Sequence, residues 1–186
     1  MENKSKFLAL IFIAIAIVCV SCGSNTMKDK DVPTYKTVKI GEQVWMAENL
    51  NYETSSGSWC YDDDPANCEK YGRLYDWETA KNVCPKGWRL PTKSDFKTLL
   101  NNVGGEGEED YNALKEGGNS GFSALFGGWR DSYGDFRNAG DYGHWWSSSE
   151  GGTYSAWVLY MFSYDQNAYM NYSYVANGFS VRCLQD

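Results

Sequence analysis

The chain has 186 residues, with 17 Lys and Arg against 24 Asp and Glu, and a formal net charge of −7. That length suits one domain with a sizeable core, and an acidic chain without a basic cluster argues against nucleic acid and against electrostatic docking on anionic lipid. Eight Trp and fourteen Tyr favour strands and loops over helices and supply flat faces of the kind that stack on sugar rings.

Residues 1–21 carry Lys4 and Lys6 ahead of an unbroken apolar run of 14 residues, Phe7 to Val20, and then Ser21 and Cys22. The run is shorter than the roughly 18–20 residues needed to cross a bilayer. Charge, apolar core and a small residue before a cysteine form the pattern of a bacterial lipoprotein signal peptide, so lipidation is expected at Cys22. Cys19 stands where such signals usually carry Leu, while Val20 and Ser21 fit the two closer positions. A plain secretory signal or an uncleaved anchor is the alternative, and either leaves the rest of the chain outside the cytoplasm. Acyl chains contribute about 0.8 kcal/mol per buried methylene, so a multi-chain anchor would bind the membrane permanently. Gly23 follows in place of the Asp associated with inner-membrane retention, so the outer membrane is expected, on its periplasmic or exposed side. Residues 22–34, with Lys28-Asp29-Lys30-Asp31 and Pro33, show no apolar periodicity and read as a flexible tether. The first 21 residues contribute one net positive charge, so the remainder carries −8.

The domain is expected over residues 35–186. Tyr35–Ile40 and Gln43–Met46 read as a hairpin about Gly41-Glu42. Residues 52–72 are turn-rich, and Asp62-Asp63-Asp64 reads as a solvated acidic loop, because three consecutive carboxylates point in different directions and lack the spacing of a calcium loop. Tyr75, Trp77, Ala80 and Val83 recur at helical spacing and predict a helix over Leu74–Val83, stopped by Pro85 and Gly87. Trp88–Pro91 is extended. Thr92 is the N-cap of a second predicted helix, Lys93 to about Val103, with Asp95 in its first turn and Phe96, Leu99 and Leu100 as its apolar stripe.

From Gly104 to Glu150 the chain is rich in Gly, Asn, Ser and Asp, with apolar islands at Phe122–Trp129 and Trp145-Trp146, and reads as a long irregular region. Ser155–Tyr164, Ala168–Tyr174 and Phe179–Leu184 then read as an antiparallel meander turning at Asp165–Asn167 and Asn177-Gly178.

Apart from Cys22, the exported part holds Cys60, Cys68, Cys84 and Cys183. An even number in an oxidising compartment implies two disulfides with three pairings open, of which Cys60–Cys68 with Cys84–Cys183 is favoured. Chain entropy gives about 2.6 kcal/mol for the short loop and about 4.7 for the long one. With no close C-x-x-C pair and His144 as the one histidine, no metal site and no cofactor are expected.

Tyr71 to Leu99, "YGRLYDWETAKNVCPKGWRLPTKSDFKTL", together with "VWMAENLNY" around Trp45, "WWSSSE" at Trp145–Glu150 and the terminal "GFSVRCLQD", resembles the Fibrobacter succinogenes major paralogous domain over roughly residues 35–186. That family occurs mainly in exported or lipid-anchored bacterial proteins and has no established biochemical activity. The cysteine after the first predicted helix, the "G-x-R-L-P-T" and the closing "G-F-x-V-R-C" also resemble the C-type-lectin-like fold and its branch of formylglycine-generating enzymes. The resemblance implies an α+β, C-type-lectin-like domain: two helices packed on small antiparallel sheets, with a long irregular loop region. In such folds a disulfide commonly joins the first helix to the last strand, which is the favoured Cys84–Cys183 pairing.

Formylglycine-generating enzymes use a cysteine pair in their C-terminal part, where this chain has Cys183 alone. His144 lies near Ser147, Ser148, Ser149 and Glu150 without a nucleophile-elbow pattern. Lectin-type calcium binding needs Glu-Pro-Asn or Gln-Pro-Asp and a Trp-Asn-Asp, and Trp157-Val158-Leu159 stands where the last would fall. The candidate ligand surface is therefore calcium-independent: Trp129, Arg130, Asp131, Tyr133, Trp145 and Trp146, aromatic faces with Arg and Asp that suit a carbohydrate or a peptide. The expectation is a non-enzymatic, lipid-anchored envelope domain whose partners are the membrane, through its lipid, and a polysaccharide or an envelope protein. A degenerate relative of formylglycine-generating enzymes and a purely structural envelope protein are the alternatives.

Overall fold

A computed structural model describes residues 35–105 and 107–186. The chain divides into two units, Met1–Val32 and Pro33–Asp186. The first lies outside the described residues, as do the predicted lipidation site Cys22 and the tether up to residue 34.

The N-terminal hairpin forms where the sequence places it, with β1 (Thr37–Ile40) antiparallel to β2 (Gln43–Met46). Gly41 supplies the positive φ of its turn, +59°. After β3 (Ser58–Trp59) and a 3₁₀ turn at Tyr61–Asp63 comes α1 (Pro65–Tyr71), where only turns and an acidic loop were expected. Asp64 caps α1 by accepting from the Ala66 amide at 2.9 Å, and Pro65 starts it with a preset φ. The predicted Leu74–Val83 helix shrinks to one turn. Leu74–Tyr75 is strand β4, and α2 (Trp77–Ala80) follows behind its own cap, Asp76.

Strand β5 (Trp88–Arg89) leads into α3 (Lys93–Val103), which has the predicted bounds. Thr92 Oγ1 accepts from the Asp95 amide and Asp95 Oδ2 accepts from the Thr92 amide, a reciprocal capping box. Phe96, Leu99 and Leu100 are buried as expected.

The region from Gly104 to Glu150 is more regular than its composition suggests. It holds α4 (Glu108–Leu114), the short hairpin of β6 (Trp129–Arg130) and β7 (Phe136–Arg137), and most of β8 (Tyr142–Gly152), an 11-residue strand. Then come β9 (Ser155–Phe162), β10 (Asn167–Tyr174), β11 (Phe179–Ser180) and β12 (Leu184–Gln185). The expected three-strand meander is corrected. β9 and β10 pair antiparallel, but β11 leaves β10 and runs parallel to β8 and antiparallel to β4.

Among the described residues the architecture mixes four helices with several small sheets, against two helices expected. One sheet has the order β1-β2-β12-β5, so the N-terminal hairpin receives the C-terminal strand at its side. The larger sheet has the order β10-β9-β8-β11-β4-β3.

Central strand β8 is buried on both faces, and successive side chains of a strand point to opposite faces. Trp145 therefore enters one core with Trp45, Phe96, Phe122 and Leu159. Trp146 enters the other with Trp77, Val158, Phe179 and Val181. Both indoles are fully buried and have acceptors, Asn49 Oδ1 at 2.8 Å for Trp145 and the Tyr75 carbonyl at 2.7 Å for Trp146. The surface role expected for Trp145 and Trp146 is corrected accordingly: a ring without exposed area offers no face to a ligand.

Disulfides join Cys60 to Cys68 and Cys84 to Cys183, the favoured pairing. The second ties the turn after α2 to the chain just before β12. Arg182, beside it, is fully buried and donates to the carbonyls of Phe122 and Ser123 and to Asn49 Oδ1. Asn49 also donates to the carbonyls of Tyr71 and Leu125. Through these two side chains the irregular segment 122–125 is fastened to β11 and β12.

Candidate functional site

Strand alternation separates the remaining residues of the expected ligand surface. Consecutive on β6, Trp129 and Arg130 turn to opposite sides. Trp129 packs against His144 and Phe179, ring centroids 6.2 and 6.1 Å away, while Arg130 lies over Trp59 at 4.3 Å and Phe136 at 5.7 Å. Paired backbone hydrogen bonds between Arg130 and Gly178 dock the hairpin beside the larger sheet.

Asp131 is structural. Its Oδ1 accepts from the amides of Tyr133 and Asp135, and its Oδ2 from the Arg137 guanidinium at 2.8 and 3.0 Å. Arg137's hydrogen bond is the main cause that holds the Asp131 carboxyl below the usual range. This knot builds the β6–β7 turn and presents Tyr133, 93% exposed, at its tip.

On the Trp129 side the sheet carries an aromatic wall that sequence reasoning missed. Cross-strand partners share a face. Tyr142 lies opposite Phe162, and His144 opposite Tyr160, which in turn lies opposite Tyr169. Tyr160 and Tyr169 are stacked at 5.8 Å, Phe162 and Tyr164 at 5.4 Å, and Tyr142 contacts Tyr164 at 5.8 Å. Tyr142, Tyr160 and Tyr169 are half-buried and Tyr164 is 68% exposed, so part of each residue reaches solvent. Asn167 and Asn171 pair with Phe162 and Val158 and border the same face with amide side chains. The available signal was the run of aromatics in β9 and β10, but its meaning depends on a register that composition does not reveal.

His144 forms the buried floor of this wall. Neither ring nitrogen has a hydrogen-bond partner among the described residues, and burial pushes its pKa down to about 3. Ser147 and Ser149 bond elsewhere, Ser147 Oγ accepting from the Ser149 amide and Ser149 Oγ from the Lys93 amide. The imidazole is thus a packing group among aromatic rings, and neither serine bonds to it. All four cysteines among the described residues are consumed in disulfides, and Cys183 is fully buried, so a cysteine-based oxidation has no thiol there to use. Among the described residues no cluster of His, Cys, Asp or Glu could hold a metal ion. No helix among them is long and apolar enough to cross a membrane.

One cleft of about 470 Å³ is lined by Lys70, Tyr71, Tyr111, Lys115, Glu116 and Phe126. Its two lysines stand at the C-terminal ends of α1 and α4, where cations complement the helix dipole. That placement accounts for them without a ligand.

No curated protein and no solved structure matches the chain. The model of the Fibrobacter succinogenes major domain matches residues 38–185, nearly the whole of the described chain, and the protein belongs to that family.

Proposed function

We propose that the chain is a non-enzymatic carbohydrate-binding module, held at the outer membrane by a lipid on Cys22 and built on a C-type-lectin-like scaffold. The observation that carries the binding role is the aromatic wall of Trp129, Tyr142, Tyr160, Tyr164 and Tyr169, bordered by Asn167 and Asn171. Pyranose rings present apolar faces to aromatic rings and hydroxyls to amides, so both halves of such recognition stand on one sheet face. The scaffold reading draws on the terminal strands meeting in one sheet and on the Cys84–Cys183 bridge. The lipid anchor draws on the first 22 residues alone.

The test is a polysaccharide-binding screen with the full-length protein in mild detergent, beside a Tyr164→Ala, Tyr169→Ala variant checked by near-UV circular dichroism. Saturable binding that weakens about tenfold in the folded variant, a loss of about 1.4 kcal/mol, supports the reading. No binding to any glycan overturns it and moves the role to a protein partner or to envelope structure.

A further inference from the structure

Arg130 is the arginine among the described residues whose guanidinium the fold leaves without an acceptor. Each of the other arginines has acceptors: Arg73 pairs with Glu53, Arg89 with Asp95 and Arg137 with Asp131, and Arg182 reaches two carbonyls and Asn49. The Arg130 guanidinium has no hydrogen bond and no carboxylate at ion-pair distance among the described residues, although the chain carries 24 Asp and Glu. Its Nε is buried and without an acceptor among the described residues. A partly desolvated cation with unused donors costs free energy that an incoming acceptor would recover.

The same guanidinium sits among aromatic rings. Trp59 lies 4.3 Å away and Phe136 5.7 Å, and Tyr61 packs on Phe136 at 5.4 Å. These rings come from β3, the Cys60–Cys68 loop and β7, so a disulfide and a hairpin fix the arrangement. A planar guanidinium matches a carboxylate with two parallel hydrogen bonds. Trp59, Tyr61 and Phe136 are each half-buried, which leaves part of each residue open to a sugar. Exposed Asp62 and Asp63 next to Tyr61, and Asp135 on the hairpin, oppose a ligand with many negative charges. A carboxylate borne singly on a pyranose meets the guanidinium with less of that repulsion than an acidic peptide would.

We propose that Arg130, with Trp59, Tyr61 and Phe136, forms a site for a uronic-acid residue of a polysaccharide, the carboxylate on the guanidinium and the sugar ring against the aromatic side chains. The site lies across β6 from Trp129 and does not depend on the aromatic wall.

The experiment titrates the full-length protein with a glucuronate-terminated trisaccharide and with its glucose-terminated counterpart, followed by calorimetry and by Trp fluorescence. The glucuronate ligand is expected to bind at least about tenfold more tightly, as a charge-assisted bidentate contact would give. Arg130→Gln removes the preference, and Arg130→Lys restores part of it because a point charge lacks the fork. The Tyr164→Ala, Tyr169→Ala variant keeps the preference, which separates this site from the wall. Equal or absent binding of the two trisaccharides by the unaltered protein overturns the proposal, whatever the variants do. So does a preference that survives Arg130→Gln, or tighter binding of an Asp- and Glu-rich hexapeptide.

Discussion

His144 is 4% exposed and ringed by Tyr160, Phe179, Phe162, Tyr142 and Trp129, with centroids between 4.6 and 6.2 Å away. Burial lowers its pKa from 6.5 to about 3. Above the unfolded value both states are neutral and the packing is worth its full amount. As pH falls below it the unfolded chain takes up a proton that the folded chain refuses until about 3, so stability declines by about 1.4 kcal/mol per pH unit in that window. Urea denaturation at about pH 7 and about pH 4.5 should show the unaltered protein losing roughly 2–3 kcal/mol more than His144→Phe. Parallel losses would show that the imidazole is not held neutral. Arg182 shows how a buried charge persists with no carboxylate at ion-pair distance among the described residues. Burial lowers its pKa to about 9, so it stays protonated at neutral pH, stacked 4.2 Å over Phe122 and donating to three acceptors. Arg182→Ala strands those acceptors and leaves a cavity, for an expected loss of about 3–5 kcal/mol in urea denaturation. A loss below about 1 kcal/mol would mean that water replaces the guanidinium.

At the scale of elements, α3 depends on signals that are local. Thr92 and Asp95 cap each other, and Asp95 also receives Arg89 at 2.6 Å. Partial burial pushes the Asp95 carboxyl up, but hydrogen bonds from Arg89 and Thr92 outweigh that and hold it below the usual range. Thr92→Ala should cost about 1–2 kcal/mol in thermal or urea denaturation, and an unchanged midpoint would show that Asp95 caps the helix alone. Because cap and apolar stripe lie within one short window, α3 was legible in the sequence with its bounds. β8 was not, since Gly143, Ser147, Ser148 and Ser149 disfavour strands in isolation and a strand covered on both faces shows no alternation. The Leu74–Val83 reading failed because Leu74 and Tyr75 satisfy a helical period as well as they fill a strand, and pairing with β11, about a hundred residues later, decides it. The Asp64-Pro65 start of α1 was a readable signal that the neighbouring carboxylates obscured. The candidate site was half legible for the same reason. Trp129 and Arg130 stood out by type, but Tyr160, Tyr169, Trp59 and Phe136 joined them only through register and through the docking of a hairpin.

The molecule as a whole is closed by long-range ties, and the two disulfides should differ in kind. Cys84–Cys183 spans 99 residues and fixes the C-terminal strand, which lies between β2 and β5, next to Arg182 and the second core. Cys60–Cys68 spans 8 residues and fixes the start of α1 beside Trp59 and Tyr61. Loop-closure entropy assigns about 4.7 kcal/mol to the first and about 2.6 to the second. The Cys84→Ala, Cys183→Ala variant should therefore lose the larger share of global stability in urea denaturation. The Cys60→Ala, Cys68→Ala variant should remain folded and instead weaken binding of the glucuronate-terminated trisaccharide, because the rings around Arg130 lose their fixed loop. If the short bridge proved the more costly to global stability, α1 would have to belong to the folding core and not to its edge. If its removal left trisaccharide binding unchanged, Tyr61 would have no part in the Arg130 site, and the sugar ring would have to rest on Trp59 and Phe136 alone.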